Sequence, residues 1–196
     1  MGLLMGASHR IATETSRLAM PEITIGLFPD VGGSYFLNKM PAGCGLFCGL
    51  TGAMINGADA LELGLADYFM LSDQFDALKA ELMQIAWHQP AAEQVLNAYL
   101  AANQLESAAQ MPASQFMGHI DHIQQLAACQ SVQEAVEHIL ALPSEDDKWL
   151  VKAQKNLRAG SSITMHLVYE QMQRSAGLSL AEVLRMEYGM ALCCAK

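Results

Sequence analysis

The sequence has little positive charge: 11 lysine and arginine residues stand against 20 aspartate and glutamate residues, for a formal net charge of −9. Nucleic acids and anionic membrane surfaces attract proteins through clustered basic residues, so this balance disfavours both as partners. The chain also lacks an uninterrupted apolar run of the roughly 18 residues that a membrane-spanning helix needs. Its first residues lack the basic-then-apolar order of a signal peptide. We therefore expect a cytoplasmic protein that binds neither nucleic acid nor membrane.

Paired cysteine motifs are missing as well. The five cysteines form no Cys-x-x-Cys pair, and an odd number fits reduced thiols better than a disulfide framework. A full set of zinc ligands at usable spacing is not visible, although His119, Asp121 and His122 lie close together in sequence. We expect these three side chains to be exposed polar positions and no metal to be bound.

What the sequence does contain is an apolar stretch, residues 20–34, that carries two carboxylates. Glu22 and Asp30 lie eight positions apart, with almost only apolar residues and glycine between them. Pro21 fixes its own φ and favours an extended residue before it, so residues 17–20 are predicted to form a strand that ends at Pro21. Glu22 would then lie at the strand end. A carboxylate in apolar company is partly desolvated, which makes it a stronger base.

Asp30 has a different predicted environment. It precedes Gly32-Gly33-Ser34 and a run typical of a helix, so it is placed to cap that helix, whose N–H groups favour an ionised carboxylate. Two carboxylates in opposed environments are a recurrent arrangement for dividing base and acid work. The same pattern also fits a simpler interpretation, in which Glu22 is a solvated turn residue and Asp30 an ordinary N-cap. The local pattern leaves both interpretations open.

A resemblance to a known superfamily favours the catalytic interpretation. It is dense from Gly2 to about Tyr68 and resumes more weakly at residues 161–162 and 180–188. Its main segments are Gly6-Ala7-Ser8-His9-Arg10, Ala19-Met20-Pro21-Glu22, Ile25-Gly26-Leu27-Phe28-Pro29-Asp30-Val31-Gly32-Gly33-Ser34 and Leu50-Thr51-Gly52. In these segments the chain resembles the crotonase (enoyl-CoA hydratase/isomerase) superfamily, and within it the acyl-CoA hydrolases most. The resemblance implies an α/β fold, with part of a crotonase-like spiral in residues 1–72 and a mostly helical region in residues 73–196.

The residue at position 2 separates the branches of that superfamily. The hydratases carry one catalytic acid at the position that resembles Glu22 and a second on the preceding helix, at the position that aligns with Gly2. They usually have glycine where this chain has Asp30. Dienoyl-CoA isomerases have an aspartate that resembles Asp30, but they too use an acid at position 2. Glycine cannot transfer a proton, so the resemblance implies a hydrolase that uses Glu22 and Asp30.

The implied reaction is hydrolysis of a short-chain 3-hydroxyacyl-CoA thioester, with 3-hydroxyisobutyryl-CoA of valine breakdown as the favoured substrate. Glu22 would activate water or attack the carbonyl directly, and Asp30 would orient the substrate hydroxyl or the water and transfer protons. No metal or redox cofactor is implied, because CoA is part of the substrate. A homo-oligomer is one possible assembly.

The resemblance also implies further segments. In the superfamily, the N–H donors of the oxyanion hole precede the position of residue 1, and a tail follows a segment like Met186-Glu187-Tyr188. We therefore expect an interior part of a protein roughly twice as long. Alone it would be nearly inactive, because loss of one such donor typically costs about a hundredfold to a thousandfold in rate. Two alternatives stay open: a hydratase or isomerase of the same fold, and a non-catalytic helical interaction module or inactive fragment.

Periodicity predicts the individual elements. Alternation indicates a strand over residues 9–14 in a hairpin-like pair with residues 17–20. The resemblance implies a further short strand over residues 66–70, which fits the aromatic and apolar content of that segment. Helices are expected at residues 1–7, as the end of a buried helix, and at residues 33–38, 44–50 and 58–63, the last with Asp59 in its first turn. The polar residues 103–114 are predicted to form a loop. Amphipathic helices are predicted from three apolar stripes: Phe75, Leu78, Leu82 and Ile85; Val132, Val136, Ile139 and Leu140; and Leu180, Leu184, Tyr188 and Leu192, with Ser179 as its N-cap.

Overall fold

The structure is a computed structural model that describes residues 1–194. Within them lie eleven α-helices and two short strands, joined by turns that include the 3₁₀ turn Glu22–Ile25. The elements, in chain order, are α1 (Gly2–Met5), β1 (Ile11–Ala12), α2 (Gly33–Leu37), α3 (Cys44–Thr51), α4 (Gly57–Glu62), β2 (Tyr68–Phe69), α5 (Phe75–Gln84), α6 (Ala92–Ser107), α7 (Ile120–Gln124), α8 (Val132–Ala141), α9 (Lys148–Ala159), α10 (Ser162–Ser175) and α11 (Leu180–Cys194).

These elements form two compact units that interleave along the chain. The first unit comprises Met1–Gly6, Leu18–Met54 and the residues from Gly118 onward, and the second comprises Ala7–Arg17 and Ile55–Met117. The two compact units therefore do not divide the chain after residue 72, where the sequence predicts a boundary. The assignment of residues 1–72 to a crotonase-like core and of residues 73–196 to a helical region stays a prediction.

Helix α3 lies at the centre of the first unit. All eight of its residues are buried, and it packs against α2, α7, α9 and α10. Gly45 permits the approach of α2, because a Cβ at that position would lie 2.1 Å from the carbonyl oxygen of Leu37,. Cys44 and Cys48 are buried on this helix and form no disulfide, and burial raises the pKa of the Cys44 thiol to about 11. They are inert core side chains, as expected for reduced thiols.

Asp147 caps helix α9 and also holds a histidine. Its carboxylate accepts hydrogen bonds from the N–H groups of Trp149 and Leu150 at 2.8 and 3.1 Å. The other carboxylate oxygen lies 2.6 Å from Nε2 of His119, whose ring stacks on Trp149. His119 is therefore mostly buried, with 14% of its side chain exposed, and the prediction of an exposed position is wrong for it. No cluster of three metal-ligating side chains occurs within the described part of the chain.

Helix α11 occurs where predicted, but it buries a different face. Its start is a reciprocal cap, in which the Glu182 N–H donates to Ser179 and the Ser179 N–H donates to the Glu182 carboxylate. The predicted stripe is exposed, at 44% for Leu184 and 67% for Tyr188, with Leu180 and Leu192 also exposed. The buried positions are instead Val183 and Glu187. Hydrogen bonds to Glu187, described below, fix this rotation of the helix.

Helix α1 is present, but the prediction that it is buried is wrong for this structure. None of its residues is buried, and Leu3 is 99% exposed.

The second unit contains the two strands, which pair with each other. β1 runs parallel to β2, with Ile11 opposite Tyr68 and Ala12 opposite Phe69. The predicted hairpin-like pair of residues 9–14 with residues 17–20 is therefore wrong. The chain instead turns directly after β1, where the Thr13 N–H donates to the Ser16 hydroxyl at 2.8 Å and the Ser16 N–H donates to the Thr13 carbonyl at 3.1 Å. Such local hydrogen bonds satisfy backbone groups that a longer strand would need to pair.

The predicted loop at residues 103–114 is also wrong over most of its length. Helix α6 continues to Ser107, and the 3₁₀ turn Ala108–Gln110 follows it. The segment is polar, but alanine, leucine, glutamine and glutamate are strong helix formers. Gln104 also accepts a hydrogen bond from the Phe69 N–H of β2 at 3.1 Å. The unit's core, which includes two residues of the predicted α5 stripe, comprises Met70, Leu78, Ile85, Ala92, Leu96 and Leu100.

Asp59 lies in the first turn of α4, as predicted, and is completely buried. One carboxylate oxygen accepts the Asn56 N–H at 3.0 Å as part of a capping box. The other accepts the Ser114 hydroxyl at 2.7 Å and the N–H groups of Gln115 and Phe116 at 2.8 and 3.1 Å. Asp59 therefore ties the segment after α6 to the start of α4.

Candidate active site

Glu22 begins the 3₁₀ turn Glu22–Ile25 directly after Pro21, so the prediction that it ends a strand is wrong. Ile23, the next residue, is buried and anchors the turn. The Glu22 side chain is partly buried, and its buried Oε2 has no hydrogen-bond partner within residues 1–194. Burial raises the pKa of Glu22. A hydrogen bond from its own N–H lowers that pKa and the charge of Asp30 raises it, with a net rise. The expected direction is thus confirmed, while the catalytic role stays a prediction.

Asp30 lies in the turn that follows Pro29, and its side chain is exposed. The prediction that it caps α2 is wrong: the N-cap is Gly32, and α2 has no side-chain cap from that position. Asp30 contributes its backbone instead, since its carbonyl accepts the Gly33 N–H at 2.7 Å. The two carboxylates still interact electrostatically, since the charge of Asp30 is one of the causes that raise the pKa of Glu22.

The turn that carries Asp30 is strained. Val31 has φ 50° and Gly32 has φ 83°, so two consecutive residues adopt the left-handed conformation. Glycine adopts it readily, whereas a β-branched residue such as valine is a genuine outlier there. A residue held in this way costs of order 1–3 kcal/mol and persists only where the surroundings impose it. Val31 is also 62% exposed, so burial of its side chain does not compensate for the strain.

Glu187 of α11 and Gln171 of α10 hold the turn on both sides of Asp30. The Glu187 carboxylate accepts the Gly32 N–H at 2.7 Å through one oxygen. Through the other it accepts the Ser34 N–H at 3.1 Å and the Ser34 hydroxyl at 2.7 Å. Gln171 donates its amide N–H to the Pro29 carbonyl at 2.6 Å and, at 3.4 Å, to Glu187. The side chains of Glu187, Gln171 and Ser34 are all at most 3% exposed.

Sequence reasoning did not assign a role to Glu187 or Gln171. The signal that was available is the four-residue spacing of Val183 and Glu187, which places them on one face of α11. The apolar stripe on the neighbouring face obscured it.

Gly2 lies against this strained turn. A Cβ at Gly2 would be 2.8 Å from the carbonyl oxygen of Val31, which is closer than real Cβ atoms come to other atoms. Position 2 can therefore carry a side chain only if the turn or α1 moves. This is the position where the resemblance puts the second acid of the hydratases.

Helix α9 brings positive charge to the same unit. It packs against the Glu22–Ile25 turn and carries four of the chain's 11 basic residues, all exposed: Lys148, Lys152, Lys155 and Arg158. The three lysines line one shallow groove together with Glu145, Val151 and Asn156.

The model of the enoyl-CoA hydratase/isomerase family matches residues 1–196 of this sequence. The chain belongs to the enoyl-CoA hydratase/isomerase family. The mitochondrial 3-hydroxyisobutyryl-CoA hydrolase of Xenopus tropicalis is 33% identical over 196 residues, which is 100% of this chain and 50% of the relative. The 3-hydroxyisobutyryl-CoA hydrolase 1 of Arabidopsis thaliana is 33% identical over 190 residues, which is 96% of this chain and 49% of the relative. The chain thus spans about half the length of these relatives.

Solved structures of the family share the fold. A carnitinyl-CoA dehydratase from Mycobacterium thermoresistibile superposes with a TM-score of 0.74 at 31% identity, covering 95% of this chain and 51% of that protein. An enoyl-CoA hydratase from Rhodobacter sphaeroides gives a TM-score of 0.71 at 31% identity, covering 93% and 48%. The predicted fold class, a partial crotonase-like α/β fold with a mostly helical remainder, is confirmed. Among the helices of residues 1–194, none is long and apolar enough to cross a membrane.

Proposed function

We propose that the protein containing this chain hydrolyses a short-chain 3-hydroxyacyl-CoA thioester, with 3-hydroxyisobutyryl-CoA as the favoured substrate. The observation that carries the proposal is the buried Oε2 of Glu22, which has no partner among residues 1–194 and feels the charge of Asp30. A carboxylate that lacks a partner and has a raised pKa is suited to accept a proton. The names of the relatives at 33% identity support the substrate class.

In the proposed reaction, Glu22 removes a proton from water as the water oxygen attacks the thioester carbonyl. The tetrahedral intermediate then collapses, the carbon–sulfur bond breaks, and the CoA sulfur takes the proton that Glu22 removed from water and leaves as the thiol. Asp30, which is exposed, orients the 3-hydroxyl group or the water. In the covalent version Glu22 attacks the carbonyl itself and expels CoA thiolate to form a mixed anhydride, and water then hydrolyses the anhydride to release the acid and restore Glu22. Rapid acid quench and mass spectrometry distinguish the two routes by the presence of an acylated Glu22.

The environment of position 2 favours hydrolysis over hydration. Hydration by two acids needs a second carboxyl group, and Gly2 has no side chain. The Val31 carbonyl oxygen also stands where a side chain at position 2 would begin. This supports the assignment of both chemical roles to Glu22 and Asp30.

CoA enters as part of the substrate, with no separate cofactor. Its phosphates carry negative charge, which the acidic chain as a whole repels. The lysine groove of α9, formed by Lys148, Lys152 and Lys155 on the helix that packs against the Glu22–Ile25 turn, is the proposed place for them,.

The test is thiol release from 3-hydroxyisobutyryl-CoA by the full-length protein that carries this chain. Glu22→Gln and Asp30→Asn are compared with Glu62→Gln, a control that removes an exposed carboxylate from α4. We expect both site variants to lose most of the activity and the control to keep it, with circular dichroism unchanged in all three.

The other outcomes contradict the proposal in distinguishable ways. Thiol release that is unchanged in both site variants would return Glu22 and Asp30 to structural roles. A change in enoyl absorbance without thiol release would indicate a hydratase or isomerase. If the wild type acts on neither kind of substrate, the chain is a family scaffold that serves as an interaction module.

A further inference from the structure

We propose that Glu187, with Gln171, is a positioning residue that holds the strained Pro29–Gly32 turn and thereby fixes Asp30 for the reaction. This inference rests on the proposed function. Asp30 is exposed and lies between two hydrogen-bonded points. The Pro29 carbonyl, before it, accepts from Gln171 at 2.6 Å, and the Gly32 N–H, after it, donates to Glu187 at 2.7 Å.

The turn does not hold itself in this shape. Val31, at φ 50°, favours other conformations when free, whereas Gly32 tolerates its φ of 83°,. The contacts that impose this shape must therefore come from elsewhere in the fold. Glu187 lies 155 residues away in sequence from Gly32, so the shape depends on the packing of α11 against α2.

Burial of the Glu187 carboxylate destabilises the fold unless all of its hydrogen bonds are made. It is 3% exposed, and burial of a carboxylate is unfavourable unless donors surround it. Its two oxygens accept from two backbone N–H groups, a serine hydroxyl and an amide. All the backbone donors belong to the turn or to the first residues of α2. The Glu187 carboxylate thus binds and stabilises this turn, which is the segment that carries Asp30.

A conservative substitution of Glu187 tests whether it positions the turn. Glu187→Gln keeps the size of the side chain but replaces one oxygen by an NH₂ group. That group must then face a donor, either the Gly32 N–H or the Ser34 pair. The turn loses one of its anchors while the packing of α11 is preserved. Glu182→Gln is the matched control, because Glu182 lies on the same helix and is exposed, and within residues 1–194 its carboxylate accepts hydrogen bonds only from Ser179.

We expect Glu187→Gln to lower kcat for thiol release by about tenfold to a hundredfold, since displacements of about 1 Å at a catalytic group have effects of this size. KM should change by less than about twofold, because Asp30 acts on the reacting atoms and not on the bulk of the substrate. In an Asp30→Asn background the same substitution should have almost no further effect. A purely structural role would lower activity by the same factor in both backgrounds.

Amide hydrogen exchange provides a measurement that does not need the reaction. The N–H groups of Gly32 and Ser34 should exchange faster in Glu187→Gln than in Glu182→Gln, with the remaining protection unchanged. If Glu187→Gln does not fold, Gln171→Met removes the donor to Pro29 from the other side of the turn and is expected to give the same selective loss of kcat.

Equal activity and equal exchange in Glu187→Gln and Glu182→Gln would overturn the inference, as would equal losses in the wild-type and Asp30→Asn backgrounds. A wild type that releases no thiol would refute the proposed function instead. The exchange rates of Gly32 and Ser34 would then still decide whether Glu187 holds the turn.

Discussion

Gly2→Ala is the smallest substitution that tests the contact between Gly2 and Val31. It adds one methyl group to α1, at a distance from both candidate catalytic carboxylates in sequence. The new Cβ would lie 2.8 Å from the Val31 carbonyl oxygen, whereas ordinary van der Waals contact begins at 3.4 Å. The carbonyl must therefore retreat by about 0.6 Å, or α1 must move by the same amount.

The magnitude follows from what holds the turn. Gly32 and Pro29 are fixed by hydrogen bonds of 2.7 and 2.6 Å to buried side chains, so the turn cannot shift at Val31 without a shift at its neighbour Asp30. A displacement of about 1 Å at a catalytic group can cost about a hundredfold in rate. For about 0.6 Å we expect a loss of roughly tenfold in kcat. Stability should change little, since alanine is the better helix former by about 1 kcal/mol, which offsets part of the overlap.

Gly6→Ala is the matched control, because it adds the same methyl group at the other end of α1. Its Cβ would meet the Leu3 carbonyl at 3.5 Å, which is an ordinary contact. Thiol release and thermal unfolding are measured for both variants of the full-length protein. We expect Gly6→Ala to behave like the wild type and Gly2→Ala to lose about tenfold in kcat. Equal kcat in the two variants would show that the turn geometry is not what positions Asp30.

Three further predictions concern stability and substrate binding. Glu22→Gln should raise the melting temperature at pH 7, because the fold raises the pKa of Glu22 and so disfavours its ionised form. This gain in melting temperature should vanish near pH 3.5, below the unfolded-state pKa of about 4.3, where Glu22 is protonated in both states; a gain that does not depend on pH would contradict this cause. Asp59→Ala should lower the free energy of unfolding by about 3 kcal/mol in a denaturant titration, because three backbone N–H groups and the Ser114 hydroxyl lose their acceptor,. A loss under about 1 kcal/mol would refute this. If the lysine groove of α9 binds the CoA phosphates, the double variant Lys152→Gln, Lys155→Gln should raise KM for the CoA thioester but not for a pantetheine thioester, which lacks the terminal phosphates. Equal changes in KM for the two substrates would exclude that site.

The sequence predicts those features that depend on neighbouring residues. Helices α2, α3 and α4 lie close to the predicted positions, and Ser179 caps α11 as predicted, because caps and helix propensities act over a few residues. The rise in the pKa of Glu22 has the predicted direction, but its neighbours Ile25 and Leu27 are exposed, and α3 and α9 are the helices that pack against the turn. Errors occur where a distant partner decides. β1 pairs with β2, more than fifty positions away, and the predicted hairpin with residues 17–20 does not form.

The capping of α2 is the instructive error. Local sequence assigns the cap to Asp30, because an acid before a glycine-rich helix start usually serves that purpose. In the structure the first N–H groups of the turn and helix are bound by Glu187, from the other end of the chain. This arrangement has a chemical consequence. A carboxylate that caps a helix uses its oxygens for backbone donors, whereas one relieved of capping keeps them for a substrate hydroxyl or a water molecule. By supplying the cap from α11, the fold leaves the Asp30 side chain exposed and its charge acting on Glu22, as the proposed role of Asp30 requires.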